Sequence, residues 1–187
     1  METQNVGRRW PTQQWPAHIE SRSDCRKPWR PRWCRCRQPG DSHGTEVTVS
    51  TNISRLASGG GIFSVGTVTL SRSVIDLNAA DREGGGISNA GSLTLNESIV
   101  ESNSVDLGGG IHNWWAGSVM TLRNSTITNN SASSGGGFFN SGKLTVSGTT
   151  VSGNTASVDG GGINNNPPPP TSFGTPTLEI RKQHDFG

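Results

Sequence analysis

Tyrosine is absent from the 187 residues, charged residues make up only 16%, and Leu, Ile, Val and Phe together number 36. So little bulky apolar material argues against the densely packed core of an α/β enzyme. The net charge is only +2, so the chain also lacks the high charge that accompanies disorder. No run of 18 apolar residues occurs, and no transmembrane helix is encoded. The chain does not open on the apolar stretch of a secretory signal, so no signal peptide is expected. No segment carries a 3.6-residue apolar stripe, which argues against helices.

What is present divides the chain in two. Residues 1–45 hold nine of the sixteen Lys/Arg, four of the six Trp, five of the ten Pro and all three Cys. With four acidic residues this leader carries a net charge of +5, and residues 46–187 carry −3. Three readings of the leader compete. A basic disordered arm would bind nucleic acid or an anionic surface. A metal site would use Cys25, Cys34 and Cys36 with His18 or His43, but C-x8-C-x-C matches no standard zinc spacing. The favoured expectation is a disordered segment not native to the fold, such as a misassigned start or a frame error.

Residues 46–181 are a repeat. A Gly-Gly-Gly triplet begins at positions 59, 84, 108, 135 and 160, at spacings of 25, 24, 27 and 25. Periods of this length indicate a solenoid. Each triplet is followed by an apolar residue: Ile62, Ile87, Ile111, Phe138 and Ile163. A polar turn ends at Gly66, Gly91, Gly117, Gly142 and, in the last unit, Gly174. Then comes an alternating run: Val68-Thr69-Leu70, Leu93-Thr94-Leu95, Met120-Thr121-Leu122 and Leu144-Thr145-Val146. Its period of two marks a strand with Thr outward. A further strand carries Ile75, Val100, Ile127 and Val151, each followed three residues later by Asn78, Asn103, Asn130 or Asn154.

These features predict an all-β fold: a parallel β-helix of about five coils of roughly 25 residues, stacked ~4.8 Å apart. Right-handedness follows from the crossover rule. The four Asn residues are expected to form a buried structural ladder, since Asn can bond its neighbours above and below. A second column comprises Ser64, Asn89, Asn113, Asn140 and Asn165. The Gly triplets supply positive φ and close backbone approach, and without a strand–loop–helix context they are not phosphate loops.

The GGGI-type segments beginning at Gly59, Gly84, Gly108, Gly135 (GGGF) and Gly160, paired with Ile75–Asn78, Val100–Asn103, Ile127–Asn130 and Val151–Asn154, give the chain a family resemblance. It resembles the repeats of chlamydial-type polymorphic outer membrane proteins, written GGA-I/L/V and F-x-x-N. Here Gly stands for the usual Ala, and Ile or Val for Phe. The resemblance covers residues 46–181. It implies export, a place on the cell surface or outer membrane, and adhesion or autotransporter-like display. The family's signal peptide, membrane barrel and caps are not seen in the sequence. The first unit, Val47 to Ser58, reads as three or four residues short, and the last runs off as a truncated tail, 182–187. An uncapped fragment of a longer solenoid is expected, with end-to-end self-association through its open coils.

Candidate chemistry is sparse. Asp76 and Glu101 share a column on neighbouring coils, at a separation suited to paired carboxylates in a polysaccharide-active lyase or hydrolase. Arg72 and Glu97 share another and are expected to form a surface ion pair. Asp81, Glu83, Asp106 and Asp159 precede the triplets and suggest calcium between coils, but their positions vary and the calcium nonapeptide is absent, so no metal or cofactor is expected. His112 and His184 lack companions for a metal site or a Ser–His relay. Trp114 and Trp115 occupy a turn two residues longer than its equivalents and are the ligand-contact candidates, with glycans or surface proteins as partners. Pro167–Pro170 is expected to form a stiff protrusion in the equivalent turn of the last unit. The expected function is a non-enzymatic, surface-exposed or secreted solenoid used for adhesion or display. The alternative is a polysaccharide-active enzyme using Asp76 and Glu101.

Overall fold

A computed structural model describes residues 36–38, 42–165 and 176–181. The Cys25, Cys34, His18, Gly174, His184 and Pro167–Pro170 expectations lie outside these residues, as do most of the leader and the tail. The described residues contain no helix, so none is long and apolar enough to cross a membrane. They wind into a parallel β-solenoid of about five turns, each turn contributing one short strand to each of three faces.

The first face stacks Cys36–Gln38, Ile62–Ser64, Ile87–Asn89, Ile111–Asn113, Phe138–Asn140 and Ile163–Asn165. The second stacks Ser42–Thr45, Thr67–Ser71, Ser92–Asn96, Val119–Arg123, Lys143–Ser147 and Thr177–Arg181. The third stacks Thr48–Ser50, Val74–Asp76, Ile99–Glu101, Thr126–Thr128 and Thr150–Ser152. Register runs straight through: Val68, Leu93, Met120, Leu144 and Leu178 are successive partners, as are Ile75, Val100, Ile127 and Val151. Because side chains alternate across a strand, each face sends one or two apolar residues inward per coil. Those columns, from Ile62 to Val146, make one continuous core.

Two corners of each coil are single residues in the left-handed region. Glu46, Arg72, Glu97, Asn124 and Gly148 turn the chain from the second face to the third. Thr51, Leu77, Ser102, Asn129 and Gly153 turn it away from the third. For non-glycine residues this backbone costs roughly 1–2 kcal/mol each. Inter-coil bonds hold it, such as Arg72 N–H to Asn96 O at 3.0 Å and Glu97 N–H to Arg123 O at 2.9 Å.

The solenoid starts earlier than the repeat pattern implies. Val49 pairs with Ile75, so Thr48–Ser50 belongs to the third face, and Ser42–Thr45 is the second-face strand of that coil. Cys36–Gln38 adds a first-face strand beside Ile62–Ser64. The boundary at 45/46 is therefore corrected: the leader's end joins the array, and the coil through Val49 is not short. Its weak apolar pattern in 42–45, with Gly44 where other coils carry Leu, Val or Ile, concealed the strand.

Ile127 is fully buried, with core residues above and below it. Ile127→Asp places an unpaired charge there, at a cost of several kcal/mol against a typical total of about 5–15. It should abolish the β-type circular dichroism and the melting transition, whereas Thr128→Asp on the outer side should melt within a few degrees of wild type.

Candidate functional site

Each coil closes through contact between its own beginning and end. In the triplet Gly108-Gly109-Gly110 each glycine is required for a separate reason. Gly108 has φ +69°, and a Cβ there would lie 2.5 Å from Ile111 O. A Cβ on Gly109 would meet Gly136 O of the next coil at 2.3 Å. A Cβ on Gly110 would meet Gly137 O at 2.5 Å and Asn130 Nδ2 at 3.0 Å. Gly61, Gly86 and Gly137 abut Asn78, Asn103 and Asn154 in the same way. The Gly triplet and the I/V-x-x-N segment are thus two halves of one joint.

The ladder is formed as expected, with one rung more. Asn103 donates from N and Nδ2 to Asn130 Oδ1, both at 3.0 Å, and from Nδ2 to Ile75 O at 3.0 Å. Asn78 donates likewise to Asn103, and Asn130 to Asn154. Asn52 is the additional rung, donating from N and Nδ2 to Asn78 Oδ1. Its signal, Val49-x-x-Asn52, is present in the sequence but falls in the coil whose register was misread. The second column also bonds, from Asn89 through Asn113 and Asn140 to Asn165 at 2.7–2.8 Å. A third ladder was missed. Backbone N–H groups of Val47, Ser73, Ser98 and Ser125 donate to the hydroxyls of Ser73, Ser98, Ser125 and Thr149 in turn. All three ladders are structural.

The exposed candidates sit elsewhere. Trp114 and Trp115 follow directly from the first-face strand Ile111–Asn113 and are 48% and 52% exposed. Trp114 N–H still joins the inter-coil ladder, bonding Asn89 O at 2.9 Å. The Trp115 indole folds back over the preceding coil, donating from Nε1 to Ala90 O at 3.0 Å. Ser118 Oγ pins the turn by donating to Trp115 O at 2.7 Å. The Trp115 ring is thus held by the backbone, the Trp114 main chain is held by the inter-coil ladder, and about half of each residue stays open.

His112, two residues before Trp114, has companions that sequence spacing concealed. It is buried on the outer side of the first face, stacked in register between Ser88 and Phe139. Its ring meets Phe139 edge-on, with centroids 5.3 Å apart. Its Nδ1 lies 3.5 Å from Glu83 Oε2, which also accepts a hydrogen bond from Ser58 Oγ at 3.2 Å. At that distance the imidazole–carboxylate contact is a long electrostatic one, and Nδ1 completes no well-aligned hydrogen bond. The His112 imidazole lowers the Glu83 carboxyl below its ordinary value, against burial that raises it, and Ser58 and Arg82 add to the lowering. Ser88 Oγ, also buried, has no partner.

Asp76 and Glu101 are register partners on the third face, and Asp76 Oδ1 is buried without a hydrogen-bond partner. The Arg72–Glu97 pairing is corrected: Arg72 Nε contacts Glu46 Oε1 of the preceding coil at 3.4 Å, with both side chains mostly exposed. The four acids before the triplets do not gather. Asp81 Oδ2 accepts from Leu56 N–H at 2.9 Å, and Glu83 faces His112. Among the described residues no three His, Cys, Asp or Glu side chains converge as a metal set.

Comparison with protein-family models, with curated proteins and with solved structures gives no match.

Because the Glu83 carboxyl titrates below 4.5 in the folded chain, its stabilising contribution is complete above that pH and is lost as pH falls through the folded value. The melting temperature of Glu83→Gln should trail wild type at pH 5. The gap should shrink below pH 4.5, and a gap that widens on acidification would contradict the assignment.

Proposed function

We propose that this chain is a non-enzymatic, surface-exposed or secreted β-solenoid of the polymorphic outer membrane protein repeat type, acting as a scaffold for adhesion or display. The observation that carries the reading is the Trp114–Trp115 turn. Two half-exposed indoles stand on a backbone-anchored turn, flanked by coils whose outward residues are mostly Ser, Thr and Asn. Exposed aromatics of this kind form contact surfaces, because they supply large rigid area at little entropic cost. The stacked coils hold that turn fixed, and their continuous backbone pairing suits an extended display surface.

Beads coated with the full chain should adhere to host-cell or glycan-coated surfaces. Trp114→Ala with Trp115→Ala should cut adhesion at least tenfold with the melting temperature preserved. The competing enzyme reading has its own support in the stacked Asp76 and Glu101 with the unpartnered Asp76 oxygen. A reducing-end assay on neutral and acidic polysaccharides separates the two. Turnover that disappears in Asp76→Asn would replace the scaffold reading, and binding without turnover supports it.

A further inference from the structure

Two leucines stand where the fold gives them no reason to be. Leu77 and Leu56 both hold positive φ, 54° and 60°, and are 56% and 81% exposed. At the corner that Leu77 occupies, later coils use Ser102, Asn129 and Gly153. Asn and Gly bear left-handed backbone cheaply, whereas a leucine bears it at a cost that only burial of its side chain would offset. Here both leucines remain largely in water. Ile53, paired with Ala79, and Ile99, paired with Val74, are exposed too and extend the apolar surface over the same coils. In the column of Ile99 the next coils carry Thr126 and Thr150, so this character is confined to the N-terminal part of the array.

Acid borders the surface. Asp76 and Glu101 flank the buried Ile75 and Val100 and so face outward, next to Leu77 and Ser102. Asp76 Oδ1 is buried without a hydrogen-bond partner. Asp81 and Asp106 add to them, against Arg55 and Arg82 in the same stretch. An exposed apolar surface with an acidic border fits a segment that is aromatic and cationic.

The chain itself supplies one. Residues 26–35 hold Arg26, Lys27, Arg30, Arg32 and Arg35, with Trp29 and Trp33 and no acid. They run directly into the first-face strand Cys36–Gln38, which pairs with Ile62–Ser64. In that neighbouring coil Ile62 is preceded by three glycines and by residues 53–57, so the chain enters Cys36 from the side that carries Ile53 and Leu56. These residues are unsuited to adding another coil. Counting back from the Cys36–Ile62 pair puts Trp33-Cys34-Arg35 at the places of Gly59-Gly60-Gly61, and Arg26 at that of Asn52. A Cβ on Gly60 or Gly61 would collide with Gly85 O or Gly86 O of the next coil, and Cys34 and Arg35 would bring such a Cβ against Gly60 and Gly61. Both halves of the closing joint are missing from the segment.

We propose that residues 26–35 lie across the outside of the N-terminal coils as a cap, with Trp29 and Trp33 on Ile53, Leu56 and Leu77 and the arginines on Asp76 and Glu101. Ten extended residues reach roughly 30 Å. Stacking at ~4.8 Å sets the coils of Ile53, Leu77 and Ile99 within about 10 Å along the axis. Pro28 and Pro31 suit an extended segment that lies on a surface rather than inside a sheet. Tethering favours this occupant over a separate partner, because a linked segment acts at an effective concentration on the order of millimolar. A solenoid needs its terminal coil covered, and Ile53–Ser54 is an edge strand whose one strand partner among the described residues is Ala79–Ala80.

The test is limited trypsin digestion of the full chain, with cleavage of the Arg32–Trp33 bond followed by mass spectrometry against a synthetic peptide of residues 26–38. The bond in the full chain should be cut at least about tenfold more slowly than in the peptide. Leu56→Ser with Leu77→Asn should bring the rate to within about threefold of the peptide. Its melting transition should be kept, since Asn129 already serves that corner. Asp76→Asn with Glu101→Gln, and separately about 0.5 M sodium chloride, should each speed cleavage severalfold by removing or screening the ionic contacts. Val158→Ser, which alters an exposed aliphatic at the far end of the array, should leave the rate unchanged. Should the leucine variant lose its melting transition, the acid variant and the salt series decide. Peptide-like cleavage of the wild-type bond, or equal rates in wild type and both double variants, overturns the proposal. So does protection that grows with protein concentration from about 1 to 100 µM, which would place the segment on a second copy.

Discussion

The structure depends on the joint between a glycine triplet and an asparagine side chain. A coil of about 25 residues closes only if its start and end meet without a side chain between them, and without leaving buried polar backbone unpaired. Glycine meets the first requirement: at Gly110 the space for a Cβ is taken by Gly137 O and Asn130 Nδ2. Asparagine meets the second, since one amide can donate to a neighbouring carbonyl and to the next rung while accepting from the previous one. Stacking then repeats the solution, and the aliphatic columns fill the interior. Polar ladders at three places in the cross-section satisfy groups that a purely apolar core would orphan.

That economy explains why so small an aliphatic fraction suffices. The core is only about one coil wide, and each coil buries a few side chains against like residues above and below. The outer surface is released from packing, so it can vary from coil to coil. The lengthened first-face turn that carries Trp114 and Trp115 is one such departure. The rest of the surface presents mostly hydroxyls, amides and scattered charge.

The sequence made the solenoid legible because inward residues recur at a nearly fixed interval. The aliphatic columns, the Gly triplets and four of the five Asn rungs could be aligned on that period. The missing rung, Asn52, and the strand Ser42–Thr45 are hidden because the first unit reads as beginning at Val47 and short of residues, whereas Val47 lies in the turn and Thr48–Ser50 on the third face. The serine ladder left no distinctive signal, since Ser is ordinary in turns. The left-handed corners were equally silent, because Arg72, Leu77, Glu97 and Ser102 are not residues that advertise positive φ. The Glu83–His112 contact escaped because it joins the end of one unit to the first face two strands on. Alignment on the triplets separates those positions, and only folding of the chain before the triplet against the outer side of the face brings them together.

The most direct test of the closing joint is the unfolding free energy of Asn103→Ala beside Asn96→Ala, an outward asparagine of the same coil. Losing the Asn103 amide removes the acceptor for Asn78 N and Nδ2 and the donor to Ile75 O and Glu101 O. With each orphaned buried group costing about 1–3 kcal/mol, the account predicts a loss of roughly 3–5 kcal/mol for Asn103→Ala and under about 1 for Asn96→Ala. Equal, small losses at the two positions would contradict it.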